Sequence, residues 1–114
     1  MTTLYGISNC DKCRKALKWF AHQDIDVTFH DLRKDGLNAS MARRWLALCD
    51  ADELLNRRST TWRNLTQADR VMADDDAVIK LLLDHPTLVK RPLIENGSTL
   101  IVGYDDQAWR ETLI

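Results

Sequence analysis

The sequence predicts an α/β fold built on a mixed four-stranded sheet, and three observations carry that prediction. A strand-like run near the start, Thr3-Leu4-Tyr5-Gly6-Ile7, gives way to a helical period and then to a second strand-like run, the pattern of a βαβ unit. Two later strand-like runs flank Asn96-Gly97, the strongest short signal for a hairpin. Only helical patterns lie between the two halves.

The first run is rich in strand-favouring residues and ends at polar Ser8-Asn9. Cys13, Ala16, Leu17 and Phe20 then recur at three- and four-residue steps, which places a helix over about Asp11–His22. A second strand is expected at about Val27–Asp31, parallel to the first as a βαβ crossover requires. Asn38 or Ser40 can cap a helix carrying Met41, Trp45, Leu48 and Cys49 on one face. Thr66 precedes a weaker helical pattern through Met72. Asp74-Asp75-Asp76 puts acid at the start of a helix bearing Val78, Leu81 and Leu82, where it suits the dipole, and His85-Pro86 ends that helix. Leu93-Ile94-Glu95 and Ser98-Thr99-Leu100-Ile101-Val102 read as a hairpin joined by a type I′ turn. A last helix, capped by Asp105 or Asp106, spaces Trp109 and Leu113 on one face. This order is that of a thioredoxin-like fold with a helical insertion between its βαβ and ββα halves, and Cys10-Asp11-Lys12-Cys13 lies where that architecture keeps its active site.

A chain of 114 residues, 45% apolar and 29% charged, fits one folded domain spanning residues 1–114, with a core that needs neither disulfides nor a structural metal. A formal net charge of −1 argues against nucleic-acid binding through a broad positive field. No apolar stretch reads as a signal peptide or membrane span, so the expected location is the cytoplasm. A monomer is expected. In a reducing compartment a Cys-x-x-Cys pair points to catalysis, redox sensing or metal binding rather than structure.

The thiolate is the reactive form, and an ordinary thiol with a pKa of about 8.5 is only slightly ionised near neutrality. At a helix N-terminus, the amides and dipole favour charge on Cys10, Lys12 and Arg14 add nearby positive charge, and Cys13 can donate a hydrogen bond. Cys10 is therefore the expected nucleophile. Cys13 has two readings: a resolving thiol that attacks the mixed disulfide on Cys10, or a small apolar residue on the buried helix face. A zinc site lacks ligands, because the remaining cysteine, Cys49, lies among Trp45, Leu46 and Leu48 and reads as a packed core residue; no metal is expected.

His22, His30 and His85 form no constellation, and Asp74–Asp76 reads as a helix start rather than a metal site. Arg91-Pro92 precedes the third strand. A cis bond there would turn the backbone toward the cysteine loop, and Arg91 could serve the thiolate or an anionic substrate. Its alternative is a solvated arginine at a strand end. Arg57, Arg58 and Arg63 around Ser59-Thr60-Thr61-Trp62 form either an anion-binding segment or a solvated turn between helices.

Five blocks, in order and with matching spacing, resemble the arsenate reductase (ArsC) family and most of all its small YffB branch. They are Leu4-Tyr5-Gly6-Ile7-Ser8-Asn9-Cys10-Asp11, Phe29-His30-Asp31-Leu32-Arg33-Lys34-Asp35-Gly36-Leu37, Leu54-Leu55-Asn56-Arg57-Arg58-Ser59-Thr60-Thr61-Trp62-Arg63, His85-Pro86 and Lys90-Arg91-Pro92-Leu93-Ile94. The resemblance implies a cysteine nucleophile at Cys10, an anion-facing arginine at Arg91 and a cis Pro92. The further candidate substrate contacts are Asn9, Lys12, Arg14, Arg57, Arg58 and Pro92. No bound cofactor is expected, and the resemblance implies glutathione as co-substrate of a thiol-disulfide reductase.

Where arsenate reductases carry arginine after the paired leucines this chain has Asn56, and where they carry another after the last strand it has Val102-Gly103-Tyr104. Both departures count against arsenate as the natural substrate. Cys13 departs from the many YffB relatives that keep only the first cysteine, and with Val102-Gly103-Tyr104-Asp105 it is similar to Spx, a redox-sensing regulator that binds RNA polymerase. Two functions of different class follow: a reductase acting on glutathione or protein disulfides, and a redox switch whose partner would be RNA polymerase rather than DNA itself.

Overall fold

The computed structural model describes all 114 residues and divides into two compact units: Met1–Asp35 with Arg91–Ile114, and Gly36–Lys90. The second is the insertion read from the sequence.

In the first unit, β1 (Thr2–Gly6), α1 (Asp11–His22) and β2 (Thr28–Asp31) form the βαβ half. The expected parallel pairing is present, with Thr3 opposite Thr28 and Gly6 opposite Asp31. β3 (Leu93–Asn96) lies antiparallel to β1, and β4 (Thr99–Val102) antiparallel to β3, giving the order β2-β1-β3-β4. α6 (Asp106–Leu113) follows, its first turn capped by the Asp105 carboxylate, which accepts from the Ala108 N–H at 3.0 Å.

The pleat puts Leu4 and Ile94 side by side on one sheet face, and α1 and α6 cover that face. Ala16 and Phe20 of α1 and Trp109 of α6 are fully buried there, with Leu17, Trp19, Phe29, Ile101, Tyr104 and Leu113 around them. Each large side chain removed from water contributes about 1.5–3 kcal/mol before entropy is subtracted. This packing, more than helix propensity, fixes the start of α1 at the cysteine loop.

The hairpin differs from expectation by one residue. Asn96 pairs with Thr99, so the turn is Gly97-Ser98 rather than Asn96-Gly97. Gly97 has φ +59° and Ser98 does not share the left-handed region. Type I′ needs positive φ at both central residues, whereas type II′ needs it only at the first, where glycine is favoured.

In the second unit, α2 (Ala39–Leu46) is capped by Asn38 rather than Ser40, with Asn38 Oδ1 accepting from the Met41 N–H at 2.9 Å. α2 ends before Leu48 and Cys49, so neither belongs to its apolar face: Leu48 is exposed and Cys49 half-buried rather than a packed core cysteine. Two single-turn helices unforeseen from sequence follow, α3 (Ala51–Leu54), closed by a capping box of Asp50 and Glu53, and α4 (Thr60–Arg63), capped by Ser59. The expected helix after Thr66 is a run of turns: the Asp69 N–H donates to Thr66 Oγ1 at 3.1 Å and the Arg70 N–H to the Thr66 carbonyl at 3.2 Å, and no helix forms. α5 (Asp75–Asp84) starts at its Asp74 cap as expected, buries Val78, Ile79, Leu81 and Leu82 and packs on α2; the chain then enters a 3-10 turn, Pro86–Leu88.

Candidate functional site

The cysteine loop is held at both ends by backbone. The Leu32 N–H donates to the Gly6 carbonyl at 2.9 Å, the Cys10 N–H to that of Ile7 at 3.1 Å, and the Arg14 N–H to that of Cys10 at 3.0 Å, closing the first turn of α1. Cys10 is thus the N-cap residue, half-buried, while Cys13 is fully buried one turn on.

No side-chain hydrogen bond caps α1. Instead the Cys10 sulfur sits where charge on it is stabilised. Burial opposes the thiolate, but the Cys13 N–H and thiol, the Arg91 guanidinium and the Lys12 N–H together hold the Cys10 pKa below its ordinary value. The expected charges act differently: Lys12 contributes its amide, and the exposed Arg14 guanidinium is paired with the Asp11 carboxylate. The cation at the sulfur is Arg91, reached across the sheet from the start of β3. The Arg91-Pro92 bond is cis, Pro92 is buried, and its carbonyl accepts the Gly103 N–H at 2.9 Å.

Cys13 is the opposite case. Burial, then the neighbouring Cys10, push its thiol up to about 11 against the help of the Ile7 N–H. Cys49 also rises to about 11, through burial and the Glu53 and Asp50 carboxylates. Of the three thiols, Cys10 alone is shifted downward.

Sequence reasoning missed two residues. Gly6 makes room for Cys13: a Cβ at Gly6 would overlap Cys13 Sγ and lie 3.2 Å from Cys13 Cβ and 3.3 Å from Leu4 Cδ2. A glycine isolated in a strand was the available signal, since it marks close approach. We expect Gly6→Ala to destabilise by about 1–3 kcal/mol, the usual cost of overpacking, and Cys13→Ala to recover much of that loss in the double variant. Urea midpoints of the four proteins check this, and additive losses would show that the two residues do not meet. The other is Asp31, which is 3% exposed. Burial alone would raise its carboxyl, but the backbone N–H groups of Lys34, Arg33 and Ser8 hold it below the usual carboxylate range.

Asn9 is exposed beside Cys10. Arg57 and Arg58 belong to the other unit. There Arg57 pairs with Asp52 and lies over the Trp62 ring, and Arg63 donates to the Arg58 carbonyl at 2.8 Å. Asn56 donates its N–H to the Leu88 carbonyl at 2.8 Å and accepts the Arg58 N–H on Oδ1 at 3.2 Å. The Asn56–Arg63 segment is a turn and short helix bonded within its own unit to Leu88, Thr87 and Arg70. No helix in the chain is long and apolar enough to cross a membrane.

The sequence profile of the ArsC family matches residues 5–112. The chain belongs to the ArsC family. It is 38% identical over 110 residues to an uncharacterized protein of Haemophilus influenzae, covering 96% of each chain. It is 29% identical over 116 residues to the global transcriptional regulator Spx of Staphylococcus aureus, covering 99% of this chain and 87% of that protein. Among solved structures it is similar to a YffB protein, with 34% identity, a TM-score of 0.94 and full coverage of both chains. The mixed α/β, thioredoxin-like architecture is that of the family.

Proposed function

We propose that this ArsC-family protein is a thiol-disulfide reductase whose nucleophile is Cys10 and whose electrons come from glutathione. The observation that carries the reading is the convergence of amide, thiol and guanidinium donors on one half-buried sulfur, while the other two thiols are held protonated. The Cys10 thiolate attacks one sulfur of a substrate disulfide, forming a mixed disulfide and releasing the other half as a thiolate. A glutathione thiolate then attacks the substrate sulfur, or Cys13 loses its proton and attacks Cys10. The first route regenerates Cys10 and yields a glutathione mixed disulfide. The second leaves a Cys10–Cys13 disulfide, which two glutathione molecules reduce. Arg91 stabilises the attacking thiolate and, with Asn9 and Lys12, borders the substrate. Such chemistry suits the cytoplasm, where glutathione keeps thiols reduced.

A coupled assay with glutathione, glutathione reductase and NADPH tests this, offering a glutathionylated peptide or arsenate. Turnover with the peptide is expected, lost in Cys10→Ser. Survival in Cys13→Ser assigns resolution to glutathione, and loss assigns it to Cys13. Arsenate turnover is expected to be absent, because Asn56 and Val102-Gly103-Tyr104 replace two arginines.

A second reading is favoured by the similarity to Spx over nearly the whole chain together with the Cys10, Cys13 pair. In it, disulfide formation would alter affinity for RNA polymerase without turnover. Peptide reduction absent from the wild type, with redox-dependent capture of RNA polymerase, would select it.

A further inference from the structure

We propose that Asp31 is a positioning residue for Cys10: its buried carboxylate ties the turn from Ile7 to Cys10 to the end of β2 and so holds the sulfur among its donors. The proposal rests on Cys10 as the reacting group. Asp31 lies opposite Gly6 where β2 meets β1, at the entrance of the cysteine loop. Its Oδ2 accepts the Ser8 N–H at 3.1 Å, and its Oδ1 accepts the N–H groups of Arg33 at 2.8 Å and Lys34 at 3.1 Å. One carboxylate thus joins segments 23 residues apart. A turn after β2 requires only the Arg33 and Lys34 bonds. The bond to Ser8 is additional, and Ser8 is two residues from Cys10.

Burying a carboxylate is costly unless its oxygens are satisfied, and an ionised one offers acceptors on both sides with no donor. Asparagine offers one oxygen only. In Asp31→Asn either the Ser8 bond or the turn bonds must be lost, with the amide –NH2 facing an N–H.

The direction of the effect separates the roles Asp31 could play. A nearby negative charge destabilises a thiolate, so if Asp31 acted on Cys10 only by its charge, Asp31→Asn would lower the Cys10 pKa. If it served only the turn, Asp31→Asn would weaken the fold and leave Cys10 unchanged. If it positions the loop, Asp31→Asn raises the Cys10 pKa, and alkylation below it slows about tenfold for each unit.

The experiment is the pH dependence of iodoacetamide alkylation, read for each cysteine by mass spectrometry on wild type, Asp31→Asn and Asp35→Ala. Asp35 Oδ2 accepts the Asp31 N–H at 2.9 Å and so braces the same turn without touching Ser8. The expected result is a raised Cys10 midpoint in Asp31→Asn and an unchanged one in Asp35→Ala. An unchanged or lowered midpoint in Asp31→Asn overturns the proposal alone, whereas a wild-type Cys10 titrating no lower than Cys49 overturns the functional reading with it. Should Asp31→Asn not fold, the wild-type amide resonances decide. Those of Ser8, Arg33 and Lys34 must follow one carboxyl titration with a midpoint below about 3.9, the ordinary aspartate value, and a Ser8 amide that does not follow it overturns the proposal.

Discussion

Cys10→Ser lowers the rate of disulfide reduction by roughly three orders of magnitude or more, the scale on which loss of an enzyme's nucleophile is felt. A serine hydroxyl stays protonated at neutral pH, and neither Cys13, buried with its thiol pushed up to about 11, nor Cys49, also at about 11, can replace it. The wild-type rate should rise with pH through a midpoint below that of an ordinary thiol, since Cys10 is shifted downward and only its deprotonated form attacks. Arg91→Ala moves that midpoint up without abolishing the reaction, so its rate falls most at low pH and approaches the wild-type rate at high pH. A pH profile of initial rates for the three proteins checks this. Activity retained in Cys10→Ser would remove Cys10 from the mechanism. An Arg91→Ala loss equal at every pH would assign Arg91 to substrate binding alone.

What the sequence disclosed follows the range of the forces involved. α1 was legible from end to end because Cys13, Ala16 and Phe20 repeat a single apolar face over three turns. The four strands and the insertion were legible for similar reasons. The hairpin register was not, because Asn96-Gly97 is locally a strong turn signal, whereas the pairing of Asn96 with Thr99 goes with the register that sets Ile94 opposite Ile101 across the sheet. α3 and α4 are single turns, too short to nucleate alone, and stand on caps and packing that a periodicity does not contain. Thr66–Met72 shows the converse, a weak helical pattern that the fold leaves as a turn.

The site divides in the same way. Cys10 was legible from its place between strand and helix, and Arg91 from its place before β3 and from family resemblance. Gly6 and Asp31 act through contacts that exist only once β1, β2 and α1 have assembled. Nothing local to Asp31 indicates that its carboxylate will reach an amide 23 residues earlier. Arg14 differs from expectation for a local reason: an aspartate three residues before an arginine on a helix is a ready partner, and Asp11 takes it.

Trp109→Ala costs about 3–5 kcal/mol, the range for truncating a buried aromatic, against a total stability of about 5–15 kcal/mol for a protein of ordinary stability. Trp109 is fully buried on α6 and its ring lies 5.2 Å from Phe20, 5.3 Å from Trp19 and 4.7 Å from Tyr104. It joins α6 to the α1 helix that begins at Cys10, so the loss also loosens the support of the site. Trp109→Phe behaves differently, because the Trp109 Nε1–H is buried and meets no acceptor. Burying such a donor costs about 1–3 kcal/mol, and phenylalanine removes that cost while keeping an aromatic ring against Phe20. The smaller ring leaves space behind it, so the two effects oppose, and Trp109→Phe should lose less than half of what Trp109→Ala loses. Urea unfolding of the three proteins measures both differences. If Trp109→Phe proved as damaging as Trp109→Ala, the indole would owe its place to a hydrogen bond rather than to the packing of its rings.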